Sequence, residues 1–287
     1  MKEQNYLDHL VGVFGHTVAE NPGVVIQEAA FRALGLERWH FLTIDVAPEK
    51  IGDAIAGLKA MKMRGINCTI PHKIEVLQYL DNIAPSAKLI GAVNTIINDD
   101  GVLSGENTDG QGFMIALKDD GIAAQGKNVV VLGAGGAARA ICVELALAGA
   151  SKLTIVNVPK DKALGERLVA TLKANTKITV EYVDWVDAFK IPPGTDILVN
   201  ATSIGLYPNI NDKPNLDYDT LTSNIYVQDV IPNPAFTPFL QEAKQRGLKW
   251  QSGLAMLVNQ AALNITMWTG LEPDKEVMKK ALEEALA

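Results

Sequence analysis

The tightest constraint on this 287-residue chain is a glycine turn set between an apolar run and a helical pattern. Asn128-Val129-Val130-Val131-Leu132 is continuous and apolar, as expected of a strand covered on both faces. It leads directly into Gly133-Ala134-Gly135-Gly136-Ala137-Ala138, which fits G-x-G-x-x-A, and a helical pattern follows to about Leu147. Gly133 permits a tight turn, Gly135 lets backbone approach a pyrophosphate, and Ala138 lets the helix lie close on the strand. The unpaired N–H groups and positive end of that helix then favour phosphate. Gly133, Ala134, Gly135, Gly136 and Ala137 are therefore expected to hold a dinucleotide.

The pattern around the turn fits such a site. Strands are expected at 153–157, 178–183, 196–199 and 225–230, with a helix at 161–174, and this alternation predicts a parallel, doubly wound sheet. The first hundred residues alternate in the same way. Helices are expected from Pro22 and Pro48, strands at 42–46, 67–70 and 92–98, and a helix over 73–80. Asp99-Asp100-Gly101 has the composition of a hairpin turn. A helix is expected from Gly112. The tail, 254–287, reads as two helices with no strand between them, and pattern alone does not place them. The fold class is α/β with two domains.

Composition narrows the function. Hydrophobic residues make up 48% and charged residues 21%, which suits a globular core, and the net charge of −7 speaks against a nucleic-acid or anionic-membrane surface. The richest apolar stretch, 129–149, is broken by Arg139 and Glu144 and is not a membrane span. Residues 1–13 have no apolar signal region. Cys68 and Cys142 have no metal-site or disulfide spacing, so two buried thiols in a reducing cytoplasm are expected, and no metal.

The identity of the dinucleotide is less constrained. The second strand ends at Asn157, where an acid would favour NAD and a following arginine NADP. Neither is present, and Lys160 and Lys162 read equally well as solvated helix-start charges or as partners of a 2′-phosphate. The balance leans to NAD, with NADP the alternative.

Three further clusters carry chemistry. Lys73 follows a strand and a proline stop at Pro71, where a lysine of tuned pKa can move a proton at a carbonyl oxygen. His72 beside it reads as structural. Asp109, in Asn107-Thr108-Asp109-Gly110, sits at a helix start where an Asp commonly caps. Asn94 is polar within an apolar run and needs a partner.

Taken together, 67–73, 91–95, 107–110, 133–138, Asn200-Ala201-Thr202-Ser203-Ile204-Gly205 and 253–262 resemble the shikimate/quinate dehydrogenase family, in family order and over nearly the whole chain. The resemblance implies a substrate-binding domain of residues 1–109 plus 254–287 and an inserted Rossmann domain of residues 110–253. It implies that Lys73 and Asp109 are the catalytic pair, and that Asn94 and Gln260 bind ring hydroxyls. It places Thr69 near the substrate carboxylate, and Asn157, Asn200, Thr202 and Gly253 on the cofactor. The implied reaction is reversible hydride transfer between NAD(P) and a ring hydroxyl, as in shikimate to 3-dehydroshikimate. A different cyclic polyol as substrate, or a ligand-sensing homologue without turnover, are the alternatives. The partner is a small hydroxylated ring molecule, and the oligomeric state, with a homodimer among the options, is open.

The match breaks at one end of the substrate. The family carries two serines, one residue apart, that grip the carboxylate; Asn21 and Gly23 stand there instead. A cleft tyrosine is replaced by Pro232. Asn21 can return one hydrogen bond, and Thr17 or His16 another. The expectation is retained hydride chemistry with a remodelled carboxylate end.

Overall fold

A computed structural model describes residues 6–286; Ala287 and the first five residues of the N-terminal stretch lie outside that range. The chain begins β1 (His9–Gly15), α1 (Gly23–Ala33), β2 (Trp39–Asp45), α2 (Ile51–Ala60), β3 (Gly65–Cys68) and α3 (His72–Glu75). It continues through β4 (Asn82–Ile83), α4 (Pro85–Ile90), β5 (Thr95–Asp99), β6 (Val102–Glu106) and α5 (Thr108–Asp119). Then come β7 (Asn128–Leu132), α6 (Gly136–Leu147), β8 (Lys152–Asn157), α7 (Lys162–Asn175), β9 (Thr179–Asp184), β10 (Phe189–Lys190) and β11 (Ile197–Asn200). The last elements are β12 (Leu216–Asp217), β13 (Tyr226–Asp229), α8 (Pro238–Gln245), β14 (Trp250–Gln251), α9 (Gly253–Thr269) and α10 (Lys275–Leu286). They form two compact units, Met1–Thr108 with Gln260–Ala287, and Asp109–Asn259.

The first unit is built on a six-stranded sheet in the order β2-β1-β3-β5-β6-β4. β1 pairs parallel with β2 and β3, whereas β5 runs antiparallel to both β3 and β6. Asp100 and Gly101 both take positive φ, 50° and 96°, which gives the β5–β6 hairpin its tight turn. Because β5 is reversed, its first residue lies at the sheet end where β1 and β3 finish: Asn67 pairs with Val13 on one side and Thr95 on the other. Ile51, Ile55 and Leu58 of α2 pack with Phe14, Ile66, Ile96 and Leu103 from the sheet. Burying each such side chain contributes up to about 1.5–3 kcal/mol.

The tail helices find their places through specific contacts in this unit. Trp268 of α9 lies over Gly65, where an added Cβ would sit 2.1 Å from its Nε1, and Nε1 donates to Ile96 O at 3.1 Å. Arg64 Nε donates to Trp268 O at 2.9 Å, placing a cation at the carbonyl end of α9. α10 packs on α1.

The second unit is a fully parallel six-stranded sheet ordered β14-β13-β11-β7-β8-β9. Read outward from β7, the chain winds through β8 and β9 and then crosses back to β11, β13 and β14. That doubly wound order puts the topological switch point at the carboxyl ends of β7 and β11. α5 comes within contact distance of α6 at Gly110, where a Cβ would meet Ala140 O at 2.7 Å.

Local differences from the sequence expectations have local causes. α5 starts at Thr108 rather than Gly112, because Asn94 Oδ1 accepts the Thr108 N–H at 2.7 Å and starts the helix early. The expected helix over 73–80 is a short α3 followed by a 3-10 turn over Val76–Tyr79. The second unit retains the first turns of α9, because Gly253 lies against the Val230 backbone at a distance that admits no Cβ. Among the described residues, no helix is long and apolar enough to cross a membrane, and no cluster of three or more His, Cys, Asp or Glu is placed to hold a metal.

Candidate active site

In the first unit the expected substrate residues gather where β1 and β3 end and β5 begins. Thr69 follows β3, its N–H donating to Phe14 O at 2.9 Å, and its methyl group occupies the space a Cβ on Gly15 would need. Lys73 lies in α3, and its carbonyl accepts from Val93 N at 2.8 Å, which fixes it one residue from Asn94 along the adjoining backbone. His72 points away as expected: its Nε2 is 2.8 Å from Val46 O and the ring is buried. Cys68 is buried, which pushes its thiol up to about 12, and Cys142 is pushed up by burial too. Neither is a nucleophile.

Asn94 is 4% exposed and lies at the centre of a polar cluster. Its Nδ2 donates to Thr108 Oγ1 at 3.0 Å and to Gln260 Oε1 at 3.1 Å. Asn94 and Gln260, 166 residues apart, are thus brought together. The sequence reading missed Asn264, which lies one helical turn beyond Gln260 and contacts the same cluster. A polar residue four positions after Gln260 on an otherwise apolar helix was the available signal.

The carboxylate end differs from the serine pair in kind. Asn21 Oδ1 accepts the Gly23 N–H at 2.8 Å, so its oxygen is occupied by the start of α1. Gly23 offers no side chain, and a Cβ there would meet Asn21 Oδ1 at 2.8 Å. Thr17 Oγ1 donates to His16 O at 2.6 Å, and His16 Nδ1 pairs with Asp45 at 2.9 Å. The two suggested replacement donors are therefore engaged elsewhere.

In the second unit, Asp109 stands in the first turn of α5, where the positive helix end favours a carboxylate. The glycine turn has a tight back and an open front. Gly133 has φ +102°, and a Cβ there would meet Ala201 O at 2.9 Å and Thr202 Cγ2 at 3.1 Å. Only glycine fits. In contrast, an added Cβ at Gly135 or Gly136 meets nothing within 4 Å, so open space faces the N-terminus of α6. Ala138 is fully buried against the sheet. Tight backing and an open face together fit a pyrophosphate.

Beyond β8 the Asn157 side chain is turned inward, its Nδ2 donating to Asp161 O at 3.1 Å. Lys162 Nζ is 3.0 Å from Asp184 Oδ2, while Lys160 is exposed and makes no ion pair among the described residues.

Beside the turn, Asn200 and Asp229 form a buried pair that the sequence reading did not join. Asn200 Oδ1 accepts from Thr202 Oγ1 at 2.6 Å, and its Nδ2 donates to Asp229 Oδ1 at 3.1 Å. Asp229 also accepts from Thr237 Oγ1 at 2.6 Å and Ile231 N at 3.1 Å. Burial pushes the Asp229 carboxyl up to about 6, against the pull of Thr237, Ile231, Asn200 and Val230. The Thr237-Pro238 start of α8 was the readable part of this network.

Comparison with known proteins places this arrangement. The sequence model of the shikimate dehydrogenase substrate binding domain matches residues 13–96, and that of the shikimate 5′-dehydrogenase C-terminal domain matches residues 253–283. The shikimate dehydrogenase (NADP(+)) of Symbiobacterium thermophilum is 40% identical, over 96% of this chain and 94% of that protein. The ligand-free structure of 5-ketofructose reductase from Gluconobacter sp. strain CHM43 is 46% identical, with a TM-score of 0.93 over 98% of this chain and 99% of that one. The Listeria monocytogenes shikimate 5-dehydrogenase, solved with shikimate and NAD, is 32% identical, with a TM-score of 0.90 over 98% of both chains. The chain belongs to the shikimate dehydrogenase family.

Proposed function

We propose that this protein transfers a hydride reversibly between NAD(P) and a secondary hydroxyl of a small polyhydroxylated molecule. Its preferred substrate is neutral, a polyhydroxy ketone of the class to which 5-ketofructose belongs. The observation that carries this reading is the Asn21–Gly23 turn: Gly23 has no side chain, and Asn21, whose Oδ1 is held by the Gly23 N–H, keeps only its Nδ2 to offer a carboxylate. A hydrogen bond to a charged group contributes roughly 1.5–3 kcal/mol, so a net loss of about two, at Gly23 and Pro232, lowers affinity for an acid on the order of a hundredfold or more. A neutral polyol does not need them. The 46% identity to a 5-ketofructose reductase supports the same direction.

The chemistry divides among the residues as follows. The Gly133–Ala137 turn, with Asn157, Asn200, Thr202 and Gly253, would hold NAD(P)H, which would supply the hydride. Lys73 gives its proton to the ketone oxygen as the alcohol forms, and takes it back in the reverse direction. Asp109 accepts from a neighbouring hydroxyl and fixes the ring's orientation. Asn94 and Gln260 complete the hydroxyl contacts, and Thr69 lines the end where the family binds a carboxylate.

The second reading is shikimate to 3-dehydroshikimate, favoured by curated relatives of that name at about 40% identity. Absorbance at 340 nm with NADH and NADPH, each against 5-ketofructose, 3-dehydroshikimate and 3-dehydroquinate, separates them. The expected result is turnover of the neutral ketone, abolished in Lys73→Ala. Turnover of 3-dehydroshikimate alone selects the second reading.

A further inference from the structure

Asn264 and Gln260 lie four residues apart on α9, one turn above the other. Asn264 is 3% exposed and no role in substrate handling attaches to it from its sequence. Its place in the hydrogen-bond network gives it one.

The network has a defined direction because it starts from a backbone amide. Thr108 N can only donate, and it donates to Asn94 Oδ1 at 2.7 Å. The Asn94 Nδ2 group must then point the other way, where it donates to Thr108 Oγ1 and to Gln260 Oε1. Asn67 Nδ2 donates to Thr95 Oγ1 at 3.1 Å. Each threonine hydroxyl has therefore accepted one bond and has one proton left to place. Asn264 Oδ1 lies 2.8 Å from Thr95 Oγ1 and 2.9 Å from Thr108 Oγ1, and its two lone pairs take both protons.

We propose that Asn264 is a positioning residue that holds Asn94 and, through it, sets the polarity of Gln260. With Oε1 accepting from Asn94, Gln260 has both Nε2 protons available, and Nε2 makes no hydrogen bond among the described residues. Gln260 thus meets the substrate as a donor only. The group it recognises is an oxygen offering lone pairs, a hydroxyl or carbonyl oxygen, and an ammonium or N–H group at that point is rejected. Without the Asn264 oxygen, both hydroxyl protons turn to Asn94 Oδ1, at 3.0 Å from Thr95 and 3.2 Å from Thr108, where the backbone amide is already bound. The Asn94 amide then loses its fixed orientation, and so does Gln260.

The kinetic test rests on the substrate reading above, so a second readout needs no substrate. Asn264→Leu keeps the volume and removes the acceptor. The expected result is a KM for the polyhydroxy ketone raised about tenfold, with kcat within about threefold and dinucleotide affinity unchanged. Asn264→Asp, which keeps an acceptor oxygen, restores KM to within about threefold of wild type. Thr108→Val, which deletes one hydroxyl at constant shape, gives a smaller rise and serves if Asn264→Leu does not fold. Side-chain amide NMR of the free protein, with the Asn94 signals assigned through Asn94→Asp, should show slowly exchanging Asn94 Nδ2 protons in wild type and fast exchange in Asn264→Leu or Thr108→Val. An unchanged KM and unchanged amide exchange in these variants would overturn the proposal, as would Asn264→Asp behaving like Asn264→Leu. If wild type ignores neutral ketones while the amide signals change as expected, the substrate class is wrong and the positioning role stands.

Discussion

Asn200 donates a 3.1 Å hydrogen bond from Nδ2 to Asp229 Oδ1, and both residues are completely removed from solvent. The pair ties the loop after β11 to the loop after β13. Through Thr202 it also supports the wall against which Gly133 packs. The glycine turn is therefore braced by a buried carboxylate on a neighbouring strand.

That carboxylate makes stability depend on pH in a definite direction. Asp229 titrates near 6 in the folded chain and near 3.8 when unexposed groups are freed. Between those values the folded state holds more protons, so stability falls as pH rises through the window, by about 2–3 kcal/mol for this group. Asp229→Asn should remove this decline and lower stability overall, because an amide cannot accept from every donor around it. Thermal unfolding from pH 4 to 7.5 checks both; parallel curves for wild type and variant contradict the account.

Gly133 and Gly135 should respond in opposite ways. Gly133→Ala places a Cβ against Ala201 O on a left-handed backbone, and should lower the melting temperature by several degrees. Gly135→Ala faces open space at φ −73° and should leave the melting temperature within about a degree or two. It should nevertheless weaken dinucleotide binding about tenfold or more, since the methyl group occupies the phosphate approach. Nicotinamide fluorescence titration alongside thermal shift separates stability from binding.

The choice between NADH and NADPH should be adjustable at Asp184. Lys162 Nζ is held by that carboxylate at 3.0 Å, which also raises the lysine's pKa through the hydrogen bond and charge. Asp184→Asn should release Lys162 and shift the kcat/KM ratio toward NADPH by about three- to tenfold, with the shift shrinking at high salt. An unchanged ratio would mean that Lys162 does not reach the adenosine ribose.

The parts of this molecule that could be read from sequence are those governed by short-range rules. β7, the glycine turn and α6 lie where 128–147 predicted them, because strand burial, turn geometry and helix packing act within twenty residues. The Asp100–Gly101 hairpin turn was equally local. What could not be read depends on partners distant in sequence. Arg64 and Trp268 pin α9 to the first sheet across 204 residues, and no periodicity encodes that. The family resemblance put Asn94 and Gln260 on ring hydroxyls but did not join them; their contact and its direction depend on the Thr108 amide and Asn264. Asp229 lies inside the run 225–230 that predicts a strand, and its place in the network depends on Thr237 and Asn200.

The carboxylate end offers a gain-of-function prediction. Gly23→Ser alone should swing the Asn21 amide aside, since its Cβ meets the movable Asn21 Oδ1 at 2.8 Å. Asn21→Ser with Gly23→Ser removes that clash and restores two hydroxyl donors. The double variant should raise kcat/KM for 3-dehydroshikimate at least tenfold, with little change for a neutral ketone. A double variant no better on the acid than wild type would place the specificity elsewhere, Pro232 being the next position to alter.

The central claim is that the hydride chemistry of the family is kept while the acid-binding end is not. The most direct measurement is the ratio of kcat/KM for 5-ketofructose to that for 3-dehydroshikimate, with wild-type protein and each reduced dinucleotide. The predicted ratio is above about a hundred, given the hydrogen bonds absent at Gly23 and Pro232. A ratio below one, with 3-dehydroshikimate turned over at micromolar KM, would contradict it.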